Sequence, residues 1–126
     1  MNKAKIATAW LDGCSGCHMS LLDMDERILA LAPSIDLVYG PLVDAQEFPE
    51  QVDVCLVEGA VSSQEDLETI RRIRQHSKLL VALGDCAVTS NVPAMRNPVP
   101  VKELLGRVYQ NGAPTIGVPP LLRHAV

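Results

Sequence analysis

The stretch VDVCLVEGAVSSQEDLETIRRIRQHSKLLVALGDC, residues 52–86, carries the pattern that decides the fold. Val52–Val57 (VDVCLV) is a nearly continuous apolar run, the kind of strand buried on both faces of a parallel sheet. Glu58-Gly59 closes it. Ser62-x-x-Glu65 then has capping-box spacing, and Leu67, Ile70 and Ile73 form an apolar stripe that predicts a helix to about Gln75. Lys78–Leu83 (KLLVAL) is the next strand, closed by Gly84-Asp85-Cys86. A strand, a helix and a strand joined by short connections form one β-α-β unit.

A second such unit lies upstream. Lys3–Leu11 (KAKIATAWL) reads as a strand ending at Asp12-Gly13, and Cys14 and Cys17 follow at once. From Cys17 to about Leu31 the spacing predicts one helix. Leu21, Leu22, Ile28 and Leu29 form its apolar stripe, with Asp23, Asp25, Glu26 and Arg27 on the wet side. Pro33 stops it, and Ser34–Tyr39 (SIDLVY) is a short strand closed by Gly40-Pro41. Downstream, six of the nine prolines fall in the final third, a helix is expected over Val101–Tyr109 and ended by Asn111-Gly112, and a fifth strand is expected near Pro114 (PTIGV). In that helix Val101, Leu104, Leu105 and Val108 are expected to face inward. The alternation predicts an α/β fold, a doubly wound parallel sheet with right-handed crossovers, in a single domain over residues 1–126. Such a sheet usually carries a further strand and covering helix, so the pattern reads as C-terminally shortened.

Composition narrows the function classes. Of 126 residues, 48% are apolar, 21% charged and 3% aromatic, a balance that builds a Val/Leu/Ala core. Eleven Lys and Arg stand against fifteen Asp and Glu, a formal net charge of −4 that does not suit a non-specific nucleic-acid binder. The longest aliphatic runs, such as Leu79–Leu83, are too short to span a bilayer, and the N-terminal apolar run breaks at Asp12-Gly13, unlike a secretory signal. These features predict a cytoplasmic domain with no membrane span and no nucleic-acid partner. In such a reducing compartment, four cysteines point to a metal or redox site rather than to structural disulfides.

In a parallel sheet the carboxyl ends of the strands share one edge, where ligands bind. Cys14 and Cys17 follow the first strand, Glu58 the third and Cys86 the fourth, so all four are expected on one rim. Cys55 sits mid-strand between Val54 and Leu56 and reads as a core residue. Structural zinc favours paired C-x-x-C knuckles or paired histidines, whereas His18, His76 and His124 show no such spacing. Iron–sulfur clusters accept one C-x-x-C plus a remote cysteine; Gly13 and Gly16 would let backbone N–H groups approach cluster sulfurs, and a helix starting near Cys17 would favour thiolates. The alternatives are a thiol–disulfide oxidoreductase using the CSGC dithiol, which would not need Cys86, and a plain α/β fold with incidental cysteines. A flavin module is a further reading, but the loop after the first strand lacks the hydroxyl-rich character that holds a flavin phosphate.

Three motifs taken in order make the resemblance specific: WLDGCSGCHMSLLD (10–23), VEGAV (57–61) and GDCA (84–87). Together they resemble the small subunit of nickel–iron hydrogenases, most closely that of the soluble NAD-reducing (bidirectional) type, over residues 5 to about 95. The related small subunit of respiratory complex I usually has adjacent cysteines where CSGC stands here. The resemblance implies a flavodoxin-like fold holding one proximal 4Fe–4S cluster. It also implies two partners: a large subunit carrying the nickel–iron centre, and diaphorase subunits carrying FMN and iron–sulfur clusters; FMN is possible in this subunit or a neighbouring one. Carried over by motif, Cys14, Cys17 and Cys86 are the ligands, and the family's fourth, the cysteine of a P-G-C-P motif, has no counterpart in this sequence. Glu58 is expected either behind the cluster as a supporting or proton-relaying carboxylate, or as a turn carboxylate accepting backbone N–H groups. His18 is expected on the first helical turn facing the partner, Asp85 in a turn, and Arg71, Arg72 and Arg74 on a solvated helix face.

Overall fold

The computed structural model of the chain describes residues 2–109 and 120–126. Four parallel strands, β1 (Ala4–Trp10), β2 (Ile35–Tyr39), β3 (Val52–Glu58) and β4 (Ser77–Leu83), form one sheet in the order β2-β1-β3-β4. Those are the first four positions of the 2-1-3-4-5 order found in doubly wound flavodoxin-like sheets. The expected α/β architecture is therefore the one adopted.

The helices lie where the apolar stripes place them. Helix α3 (Gln64–His76) packs Ile73 and Ile70 against Ala7, Ala9, Cys55, Val57 and Leu80, which alternate with residues of the other face along three neighbouring strands. Small side chains on β1 let this helix approach closely. On the opposite face Leu37 and Leu79 remain 47% and 55% exposed. Among the described residues no helix is long and apolar enough to cross a membrane.

Several local expectations are corrected. The single helix expected over Cys17–Leu31 is two helices, α1 (Gly16–Leu22) and α2 (Glu26–Leu31). Tight turns at Met24 and Asp25 and a left-handed Asp25 (φ 46°) end the first, so the stripe is not continuous and Leu29 is exposed. The N-cap of α3 is Ser63, one residue later than expected. Its side chain accepts the Asp66 N–H at 3.1 Å while the Asp66 carboxylate accepts the Ser63 N–H at 3.0 Å, so Asp66 rather than Glu65 closes the capping box.

After β4 the chain turns at once into a short helix, α4 (Asp85–Thr89), then a 3-10 turn (Pro93–Arg96) and α5 (Val101–Val108). Val101, Leu104 and Leu105 of α5 are half-buried, but Val108, expected inward, is 64% exposed. The expected helix stop at Asn111-Gly112 and the fifth strand near Pro114 lie outside the described residues.

Residues 120–126 return to the loop after β3. Val61 and Val126 exchange backbone hydrogen bonds, and Leu122 donates to the Ser62 carbonyl. Arg96 donates to the carbonyls of Ser62 (3.0 Å) and Leu122 (2.9 Å), and the Asn97 amide both donates to and accepts from the Ala125 backbone, at 3.0 and 2.8 Å. Ala125 is buried in consequence. Asn97→Ala removes both side-chain bonds to Ala125 and is expected to cost about 1–3 kcal/mol. Chemical denaturation, with faster amide exchange at Leu122 and Val126, checks this; an unchanged midpoint and unchanged exchange would show that the tail is held without Asn97.

Candidate functional site

The parallel register sets Trp10, Glu58 and Leu83 side by side across β1, β3 and β4. The segments that leave this row carry the singled-out residues. The first is Asp12–Gly16 with Cys14, leading into α1 with Cys17 and His18. The second is Gly59-Ala60, and the third is Gly84 leading into α4, where Cys86 lies in the first turn.

The first two loops are tied directly. Leu11 donates to the Glu58 carbonyl at 2.8 Å, and Asp12 and Ala60 exchange backbone hydrogen bonds of 3.1 and 2.7 Å. Gly59 has φ 91°, and a side chain there would stand 2.8 Å from the Leu11 carbonyl carbon, so only glycine fits. Gly13 lies against it: a Cβ on Gly13 would be 3.3 Å from the Gly59 Cα and 4.0 Å from Glu58 Oε1.

The third loop meets the first through sulfur. Gly84 has φ 87°, and a Cβ built on it would collide with Cys17 Sγ. Gly16 leaves similar room, its Cβ position being 3.3 Å from Cys14 Sγ. Burial pushes the Cys17 thiol above its ordinary range, and the neighbouring charges of Glu58, Cys14 and Cys86 push it the same way. Cys17 therefore shares its surroundings with both other rim thiols and with Glu58. Cys14 is exposed, Cys17 and Cys86 are half-buried, and all are free thiols. Among the described residues no three His, Cys, Asp or Glu side chains close around a single-ion position. A polynuclear cluster, whose ligands grip separate corners, asks for a wider spread of thiols than one ion does.

Cys55 is buried beside Ala7 and Leu80, three residues before Glu58 along β3, or about 10 Å from the rim at strand rise. Its thiol is pushed up to about 11 by burial. It is a core residue.

His18 departs from expectation. It does not face outward: it is buried, stacked under the Trp10 ring (centroids 5.9 Å apart, planes at 25°), and bonded to Glu58. The Glu58 carboxylate, 2% exposed, accepts the His18 backbone N–H at 3.0 Å and the ring Nδ1 on the same oxygen, Oε2. The sequence does carry a signal for burial, because Leu21 and Leu22 lie three and four residues beyond His18 on the same stripe. It carries none for the pairing with Glu58, since nothing local connects residues 40 apart. Asp85 opens α4, where its carboxylate accepts the Thr89 hydroxyl at 2.9 Å, and Arg71, Arg72 and Arg74 are exposed on α3.

The parallel sheet of order β2-β1-β3-β4, with the loops that carry Cys14, Cys17 and Cys86 leaving its carboxyl edge, places the chain in the doubly wound α/β class. Residues 14–119 match the family model described as NADH ubiquinone oxidoreductase, 20 kDa subunit, and the chain belongs to that family. It is 43% identical over 114 residues to the delta subunit of the NAD-reducing hydrogenase HoxS of Cupriavidus necator, covering 90% of this chain and 54% of that subunit. It is 38% identical over 125 residues to a subunit of the vhu F420-non-reducing hydrogenase of Methanocaldococcus jannaschii, covering 93% of this chain and 43% of that one. The chain thus spans about half the length of these curated relatives. Its fold superimposes with a TM-score of 0.89, at 38% identity, on a chain in the crystal structure of the NAD+-reducing [NiFe]-hydrogenase in the H2-reduced state, over 98% of this chain and 74% of that one. The likeness to hydrogenase small subunits read from the three motifs is borne out.

Gly84→Ala tests the fit between the first and third loops. It forces on alanine a positive-φ extended backbone that is essentially glycine's alone, about 1–3 kcal/mol, and drives Cβ into the Cys17 sulfur. A drop in denaturant midpoint larger than that of the exposed Gly106→Ala is expected; equal midpoints would deny the contact.

Proposed function

We propose that this chain is the electron-transfer small subunit of a soluble NAD-reducing nickel–iron hydrogenase, held against a large subunit that carries the nickel–iron centre. The observation that carries the reading is the meeting of three thiols at one sheet edge, with Cys17 seated against Gly84 and sensing Cys14, Cys86 and Glu58. Membership of the 20 kDa subunit family and the likeness to hydrogenase subunits support it.

In this reading Cys14, Cys17 and Cys86 hold three corners of a 4Fe–4S cluster, the proximal one. The donor set fits: thiolates are the ligands such clusters take, and Gly84 and Gly16 clear the space around two of the sulfurs. Cys55 supplies no ligand, being locked in the core. When bound, the cluster supplies one-electron transfer, accepting electrons from the nickel–iron centre and passing them toward diaphorase subunits that carry FMN and reduce NAD. The chain's own work is to fix the ligands on a stiff sheet edge, to keep water off the buried side and to set the charge there through Glu58.

The elements leaving the edge also present exposed apolar side chains: Met19 on α1, Val88 on α4, and Val92 and Met95 just beyond. Burial of these against the large subunit removes a patch that water solvates poorly. The thiol–disulfide alternative would use Cys14 and Cys17 alone and leaves Cys86, in the first turn of α4 at the same edge, without a part.

Cys86→Ser, purified anaerobically within its complex, is expected to lose most of the iron and acid-labile sulfide assigned to this subunit, whereas Cys55→Ala keeps them. Normal iron and sulfide in Cys86→Ser would remove the ligand assignment. Loss in both variants would show that the content reports stability rather than ligation.

A further inference from the structure

The pair formed by His18 and Glu58 is built more tightly than a space-filling contact needs. Two donors of one residue, the backbone N–H and the ring Nδ1, converge on the same oxygen, Oε2. The other oxygen, Oε1, is buried and makes no hydrogen bond among the described residues, and it lies on the side of Gly13, in the loop that carries Cys14. A buried carboxylate oxygen left without a donor is costly, so an arrangement that keeps it so calls for a reason. The histidine ring is itself fixed by the stacked Trp10 and by its place in the first turn of α1. With Nδ1 donating to Glu58, the second ring nitrogen, Nε2, is left buried and, among the described residues, unpartnered.

We infer that His18 is a positioning residue: it clamps the Glu58 carboxylate so that its charge is held against Cys17 and the loop 12–16. This deepens the proposed function and rests on the cluster being bound at that rim. A negative charge fixed beside a cluster disfavours adding an electron and holds the potential down. His18 governs that effect without touching the cluster, because it decides where the carboxylate points. Trp10, half-exposed beside Glu58 in the strand register, shields the ring from solvent.

The test is an EPR-monitored redox titration of the proximal cluster in the assembled complex. Glu58→Gln is expected to shift the midpoint potential upward. His18→Leu, which keeps bulk but removes the donor, is expected to shift it the same way and by no more than Glu58→Gln does. Adding His18→Leu to Glu58→Gln should produce no further shift. His18→Asn, whose side-chain amide stands where Nδ1 stands, should restore the wild-type potential, whereas His18→Gln, with its amide one bond further out, should behave like His18→Leu. The Asn and Gln pair decides the matter if the leucine variant does not assemble. An unchanged potential in both His18→Leu and His18→Gln, beside a shifted Glu58→Gln, would overturn the clamp while leaving the Glu58 assignment intact. A His18 shift that persists undiminished in the Glu58→Gln background would also overturn it. A Glu58→Gln variant with a normal cluster and an unmoved potential would remove the role of Glu58 and the clamp together, and a complex with no cluster signal at Cys14, Cys17 and Cys86 would remove the reading beneath both.

Discussion

Parallel pairing in register is the constraint on which the rest of the molecule depends. Because Trp10, Glu58 and Leu83 are neighbours across three strands, every loop that leaves their carboxyl ends starts from the same line. Residues separated by more than seventy positions in sequence, Cys14 and Cys86, are thereby brought to one edge without any long-range device of their own. A slip of one residue in the β1–β3 pairing would turn the Glu58 side chain to the other face, away from Trp10 and His18. The ladder is pinned by its apolar side. Ala7, Ala9, Cys55 and Val57 must face α3, and no shifted register keeps them all buried.

On that base the edge is assembled from loops too crowded for side chains. Gly59 and Gly84 both take positive-φ conformations, and both touch the first loop, one through backbone and one through the Cys17 sulfur. The crowding draws the three loops together, and it also makes the edge dry beneath its exposed thiols. Burial is the main reason the Cys17 thiol is pushed upward, and one carboxylate and two thiols add to it. The same property suits a cluster holder, whose ligands must stay fixed while charge changes between them.

Much of this is legible in the sequence, and the residues show why. The strand over Val52–Val57 is plain because a run buried on both faces has nowhere else to go, and Gly84-Asp85-Cys86 marks the end of the next strand by its break in hydrophobicity. Boundaries are less secure where two residues of similar chemistry compete. Ser62 and Ser63 can each cap a helix, and the choice falls to Ser63 because its hydroxyl accepts the Asp66 N–H and its carbonyl the Leu67 N–H, while the Ser62 carbonyl is engaged by Leu122 and Arg96. The break at Met24–Asp25 is hidden because aspartate is unexceptional on a wet helix face until its φ turns positive. For His18 the neighbouring Cys17 is a misleading guide, and its helical phase, shared with Leu21 and Leu22, is the better one. Its bond to Glu58 belongs to tertiary structure and leaves no local mark.

The buried pair bears on how such an edge can be both rigid and tunable. A hydrogen bond between buried charged or polar groups is a weak source of stability, because desolvation offsets most of the attraction. A leucine and a small apolar residue in place of His18 and Glu58 would pack well against Trp10 and could leave the fold no less stable. The pair is therefore better explained by what it does to its surroundings than by what it adds to folding. It sets a negative charge at a fixed depth below the thiols, behind a tryptophan that limits water, and it holds that charge by two donors from the residue next to Cys17. Since both donors belong to the helix that Cys17 opens, any movement of that thiol carries the clamp with it. The distance between charge and sulfur is then set where that short segment meets the end of β3.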